Sequence, residues 1–261
     1  MRLLTAIFLT VAMSLGPVWS KDVTKRVQQV KWNGTDARYS KGEWTFELAP
    51  DGCGRKTYGD GRGESDCGGG RRRSQIQLKE KARVGQQLSY SFEFFIPKDF
   101  VYDGDPRYPA FSRLLFAEWK RDKGIKNHLY EILLDSRRGV TFERKPCVTP
   151  KEFGKWNHFE LRVNWTGKAD GYLEARCNGR QILKRLGQQT LVPPDCAANY
   201  KLQCDPKLQQ PDGRILWSIG PNLSGYGRDY RRLGRSTPFP PFPPRGVEIS
   251  VRKIDLSRIR N

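Results

Sequence analysis

Between Trp156 and Trp165 the chain reads WNHFELRVNW, with apolar residues at every second position from Phe159 onward. Phe159, Leu161, Val163 and Trp165 fall on one face of an extended strand; His158, Glu160, Arg162 and Asn164 fall on the other. TGKADG then offers a turn, and YLEARCNGRQI returns, with Asn178–Gly179 as a tight-turn signal. A period of two describes a strand with one buried face and does not suit an amphipathic helix. The same pattern recurs along the chain. EWTFELA aligns Trp44, Phe46 and Leu48, and SQIQLKE aligns Ile76 and Leu78. LSYSFEFFIP aligns Leu88, Tyr90, Phe92, Phe94 and Ile96 before Pro97 stops it. SRLLFAEWK, LYEILLD, GVTFER, RILWSIG and GVEISVRKIDL bring the total to about ten strands, separated by Gly, Pro, Asp and Asn. In a chain of 261 residues this predicts an all-β domain of two packed antiparallel sheets.

The first residues do not share this pattern. MRLLTAIFLTVAMSLGPVWS has a basic Arg2, an apolar run from Leu3 to Leu15, and Val18 and Ser20 at the positions read by signal peptidase. Residues 1–20 are therefore expected to be a secretory signal peptide, with 21–261 as a single domain that is secreted or periplasmic. The apolar run is too short to span a bilayer comfortably. Export places Cys53, Cys67, Cys147, Cys177, Cys196 and Cys204 in an oxidising compartment, where disulfides are the default. Cys53–Cys67 and Cys196–Cys204 are the expected local pairs, which leaves Cys147–Cys177 across two strands. Spacing alone leaves the connectivity open. With no CxxC pair and only His128 and His158 available, neither a metal site nor another cofactor is expected.

Lys and Arg number 47 against 28 Asp and Glu, a formal net charge of +19. Such a field attracts polyanions. Outside the cell the available partners are uronic-acid or sulfated polysaccharides, anionic envelope surfaces and lipopolysaccharide rather than nucleic acid, and the expectation taken forward is an anionic polysaccharide met by a monomer. Three loops stand apart from the strands: the Gly-rich basic stretch 51–73, the insertion 187–213 and the Pro-rich 231–246.

The W-x-x-F-x-L-x-V-x-W hairpin followed by the NG element resembles the concanavalin-like jelly rolls. Within these it is similar to secreted polysaccharide lyases related to heparin lyase I and glucuronan lyase. The motifs keep that family's order from Trp44 to Leu256: YSFEFFIP, then LLFAEWKRD, HLYEILLDSRRGVTF, the hairpin, WSIGPN and VEISVRKIDL. The resemblance implies a jelly-roll sandwich and β-elimination on a uronic-acid polymer. A cation or hydrogen-bond donor neutralises the uronate carboxylate, a base removes the proton alpha to it, and an acid protonates the leaving oxygen.

At four motif positions the chain departs from the family. Glu118 and Lys120 stand in place of Gln and His, and Ser218 and Asn222 in place of Lys and Tyr. A negative Glu118 suits the chemistry only if it is protonated or pairs with Lys120. The candidate catalytic residues are Lys120, His128, Tyr226 and Tyr230. The candidate substrate-binding residues are Arg113, Glu118, Trp119, Tyr130, Arg228, Arg231 and Arg232, with Tyr130 expected on the same strand face as His128. Two rival functions remain. A glycoside hydrolase would use two carboxylates, for which Glu131 and Asp135 are the available pair. A non-catalytic carbohydrate-binding protein would use aromatics such as Trp119, Tyr226, Tyr230, Phe239 and Phe242 to stack on sugar rings.

Overall fold

The computed structural model describes residues 22–56, 65–102, 114–121, 128–191, 214–223 and 242–259. Two antiparallel sheets face each other. One runs β1 (Val27–Gln29), β5 (Ile76–Leu78), β14 (Ile215–Leu223), β7 (Leu114–Arg121), β8 (His128–Asp135), β9 (Gly139–Phe142) and β10 (Lys145–Val148), with β4 (Arg72–Arg73) also paired to β14. The other runs β13 (Arg180–Gln188), β12 (Gly171–Cys177), β11 (Trp156–Asn164), β6 (Gln87–Phe95), β15 (Val247–Arg258), β3 (Glu43–Leu48) and β2 (Arg38–Ser40). This is the expected jelly-roll sandwich. It holds fifteen strands among the described residues rather than about ten. The additions are mostly short pieces such as β1, β2 and β4, too brief to carry a readable alternation.

The alternating segments bury the faces their spacing predicts. Phe159, Leu161, Val163 and Trp165 are fully buried, as are Phe46, Phe92, Phe94 and Ile96. The hairpin turn has Asn178 at φ 50° and Gly179 at φ 78°. Two successive left-handed residues make the primed turn whose twist matches its flanking strands.

Between the sheets lies an aromatic core. Trp119 on β7 and Trp217 on β14 are register partners and stack with centroids 5.9 Å apart, 10° from parallel. Tyr90 from the opposite sheet meets both edge-on, at 5.7 and 5.0 Å, and its hydroxyl accepts a 3.0 Å hydrogen bond from Trp165 Nε1. Burial raises the Tyr90 phenol far above its ordinary value, so it stays neutral.

Two disulfides are present. Cys53–Cys67 closes the loop that carries the single-turn helix α1 (Asp66–Gly69). Cys147–Cys177 joins β10 of one sheet to β12 of the other. Both were expected. Cys196 and Cys204 lie outside the described residues, as do residues 1–20. The Cys147–Cys177 bridge spans 30 residues, a separation for which chain entropy gives roughly 3–4 kcal/mol. Replacing both cysteines by Ala is expected to lower unfolding stability by about that amount. The urea midpoint under oxidising conditions measures it.

Candidate functional site

The site follows from which face of β7 and β14 is left when the tryptophans turn inward. With Trp119 and Trp217 in the core, Glu118, Lys120, Leu216 and Ser218 project from the opposite face of the eight-stranded sheet. Register neighbours form three rows across this face. Leu216, Lys120 and His128 make the first. Gln77, Ser218, Glu118 and Glu131 make the second. Arg73, Asn222, Leu115, Leu133 and Thr141 make the third.

Glu118 is the centre of the arrangement. Its carboxylate is fully buried, with Lys120 Nζ 2.7 Å from Oε1 and His128 Nδ1 2.7 Å from Oε2. Glu131 Oε1 approaches the same His128 nitrogen at 3.3 Å. Burial pushes the Glu118 carboxyl up. The Lys120 and His128 charges, with their hydrogen bonds, outweigh that and hold it well below the usual carboxylate range. Glu118 is thus ionised and paired with Lys120, which meets the condition its charge imposed. The side chains of Lys120 and His128 keep 21% and 37% of their surface, so the ammonium and the imidazole face outward while the carboxylate they share does not.

His128 reaches this cluster through a β-bulge. Trp119 pairs with Tyr130, but the next β7 residue, Lys120, pairs with His128, which leaves Leu129 as the extra residue on β8. One inserted residue reverses face parity. Leu129 and Tyr130 both turn into the core, each 1% exposed, while His128 faces out. Tyr130 therefore does not share a face with His128, contrary to the alternation. It packs on Phe142 and Trp165, its phenol raised far above the ordinary value first by burial. Trp119 is likewise withdrawn as a sugar platform, since it is fully buried in the stack with Trp217. Neither residue can contact a glycan at the surface. Arg113, Tyr226, Arg228, Tyr230, Arg231 and Arg232 lie outside the described residues, as does Phe239. Phe242 lies beneath the Arg72 guanidinium at 4.6 Å.

The structure also brings in residues that the chain pattern did not single out. Arg73 is buried, its Nε 3.3 Å from Asp66 Oδ2, in the loop held by Cys53–Cys67. It pairs across the ladder with Asn222. The run Arg71–Arg73 carries no alternation, so nothing in it separates the buried arginine from its neighbours. Among the described residues, Ser218 Oγ and Asn222 Oδ1 are buried without a hydrogen-bond partner. Unpartnered polar atoms of this kind are costly unless something meets them. Gly220, at φ 113°, lies within the register shift of β14 between Ile219 and Asn222, and a Cβ there would meet Ser74 O at 2.4 Å. His158 sits on the outer face of the other sheet, remote from this cluster in register.

The hydrolase pair fails on geometry. Asp135 caps a turn: its Oδ1 accepts from the backbone N–H groups of Arg137 and Arg138, and its Oδ2 from Arg138 Nε. Four residues along a strand also set Glu131 and Asp135 about 13 Å apart, beyond the roughly 5–9.5 Å that glycosidases use.

The Glu118 cluster has a pH signature. Its folded pKa lies below the unfolded value, so its stabilisation is present above about pH 4.3 and is lost as pH falls through the folded value. Glu118→Gln is expected to cost about 2 kcal/mol at pH 7, less than the roughly 3–5 of a fully buried pair because Lys120 and His128 reach solvent. The gap from the unsubstituted protein should hold from pH 7 to 5 and close at lower pH. Urea unfolding across that range measures it.

A family model described as polysaccharide lyase matches residues 16–192, more than half of the chain. The match includes β7 and β8 and ends before β14. No curated protein matches the sequence. Among solved structures, the chain is similar to the endo-β-1,4-glucuronan lyase of the fungus Trichoderma reesei, at 12% identity and TM-score 0.52, over 94% of this chain and 92% of that one. It is also matched to alginate lyase Aly36B in complex with an alginate trisaccharide, at 12% identity and TM-score 0.46, over 91% of this chain and 89% of that one. A third match is the exolytic alginate lyase AlyA5 from Zobellia galactanivorans, at 9% identity and TM-score 0.46, over 86% and 88%. At these identities the glucuronan lyase likeness is one of fold.

Proposed function

Because the chain belongs to the polysaccharide lyase family, we propose that it binds an acidic, uronic-acid-containing polysaccharide over the Lys120–His128 face and cleaves it by β-elimination. The observation that carries this reading is the buried Glu118 carboxylate holding the Lys120 ammonium and the His128 imidazole outward, one beside each oxygen. With both oxygens engaged, Glu118 presents no lone carboxylate to a polyanion. Lys120 keeps ammonium protons for the substrate carboxylate, whose neutralisation makes the alpha proton removable.

His128 is the base. Its Nδ1 faces Glu118, which favours the tautomer with the proton on that nitrogen and leaves Nε2 to accept one. Nε2 takes the proton alpha to the carboxylate. The electron pair of that C–H bond forms the carbon–carbon double bond, and the bond from the adjacent carbon to the glycosidic oxygen breaks. The leaving oxygen is protonated by an acid, for which Tyr226 and Tyr230 remain candidates. Arg113, Arg228, Arg231 and Arg232 remain candidates for holding the flanking uronates. Glu118 is a positioning residue that fixes the histidine tautomer and the lysine. Among the described residues no helix is long and apolar enough to cross a membrane. Paired cysteines and the N-terminal apolar run support an exported protein acting on an extracellular or periplasmic glycan.

Mixing the protein with glucuronan, alginate or heparin-like chains is expected to raise the ultraviolet absorbance of an unsaturated uronate. His128→Ala should lower kcat by about 10²–10⁴-fold, while Lys120→Ala should also weaken polyanion binding. Binding without that absorbance in every polymer would leave a non-catalytic holder of anionic glycans. Ser218 and Asn222, which stand where the resemblance puts Lys and Tyr and supply neither a cation nor a phenol, favour that second reading.

A further inference from the structure

The seven-stranded sheet also has a face turned away from the core, and it is built differently. Much of it is a lattice of ion pairs. Arg162 meets Glu160, Arg176 meets Glu174, and Arg252 and Lys253 both meet Glu93, each at 2.7 Å. At one end the lattice gives way to a groove of about 270 Å³ lined by Glu43, Phe95, Pro97, Trp156, Glu248 and Ser250. These come from or beside β3, β6, β11 and β15, four adjacent strands in the order β11, β6, β15, β3. The groove therefore crosses three strand spacings, about 14 Å.

Its floor is aromatic. Phe95 and Trp156 are register partners, both half-buried, with ring centroids 5.8 Å apart. Arg252 lies over the Trp156 ring at 3.9 Å with its Nε held by Glu93, which fixes the indole in place. The rim is polar and acidic. Glu43 makes no ion pair among the described residues. Glu248 has a 3.7 Å contact with an exposed Arg38 that solvent screens. Ser250 adds a hydroxyl, and the one cation set against the aromatic floor among the described residues, Arg252, is paired with Glu93.

This chemistry opposes that of the Lys120–His128 face. Two carboxylates on its rim make this groove a poorer seat for a polyuronate than the Lys120 face, even on a chain of net charge +19. Its aromatic pair offers apolar surface to the face of a sugar ring. Its carboxylates accept from sugar hydroxyls, and Ser250 exchanges hydrogen bonds with them. We propose that this groove is a second glycan-binding site, taking an uncharged hexose chain on the sheet opposite His128. It would hold the protein on a mixed glycan matrix independently of any turnover.

Isothermal titration calorimetry of the full chain with cellohexaose, laminarihexaose and mannohexaose tests the site. At least one hexasaccharide is expected to bind. Its affinity should fall tenfold or more in Trp156→Ala and severalfold in Glu43→Gln, and stay unchanged in His128→Ala. Glu43→Gln removes only a surface charge, so the test stands even if Trp156→Ala folds poorly. Binding by none of the three, wild-type affinity in both groove variants, or loss in His128→Ala would overturn the proposal. Failure of uronate cleavage leaves it untouched, because the probes carry no uronate.

Discussion

The stack of Trp119 on Trp217 is the contact on which the rest of the site depends. Both indoles are buried, and together with Tyr90 they occupy the middle of the space between the sheets. Aromatic side chains of this size bury more apolar area than any others and set the energetics of a core. Once they point inward, the pleat leaves no choice for their neighbours. Glu118, Lys120 and Ser218 must project from the opposite face of the sheet.

That constraint explains why a carboxylate comes to be fully buried at the centre of a polar face. An isolated charge there would be untenable. It is stable because the Lys120 ammonium meets one oxygen from the same strand and the His128 imidazole meets the other from the strand beside it. The pairing also does chemical work, since it orients an imidazole and an ammonium toward solvent with their shared anion beneath them. The same sheet therefore serves as core on one side and as a charged, preorganised surface on the other. The ion-pair lattice and aromatic groove of the opposing sheet repeat this division with a different charge balance.

Much of the fold was legible in the chain. Alternation in WNHFELRVNW, EWTFEL and LSYSFEFFIP named the buried faces correctly, because a strand with one wet face has no other way to arrange its side chains. Glu118, Lys120 and His128 were also identifiable as candidates. The errors have separate causes. Tyr130 was assigned to the His128 face by counting in twos, and the bulge at Leu129 breaks that count. Trp119 was offered as a sugar platform because an aromatic in a polar segment reads the same whether it faces in or out. Arg73 was missed because three consecutive arginines carry no alternation, and only pairing with Asp66 and Asn222 distinguishes one of them.

The sequence by itself determined the two-sheet architecture and the residue types of the Glu118 cluster, while the Cys53–Cys67 and Cys147–Cys177 pairings, one preference among several in the chain, were settled when the fold brought those cysteines together. The architecture and the residue types depend on local period and composition, which any reading of the chain preserves. The tertiary structure decided which residues meet. The Glu118–Lys120–His128 cluster joins two strands through a bulge, and the groove at Trp156 joins four strands drawn from distant parts of the chain. Such juxtapositions are set by register and by parity after a bulge, and a shift of one residue in either would exchange core for site.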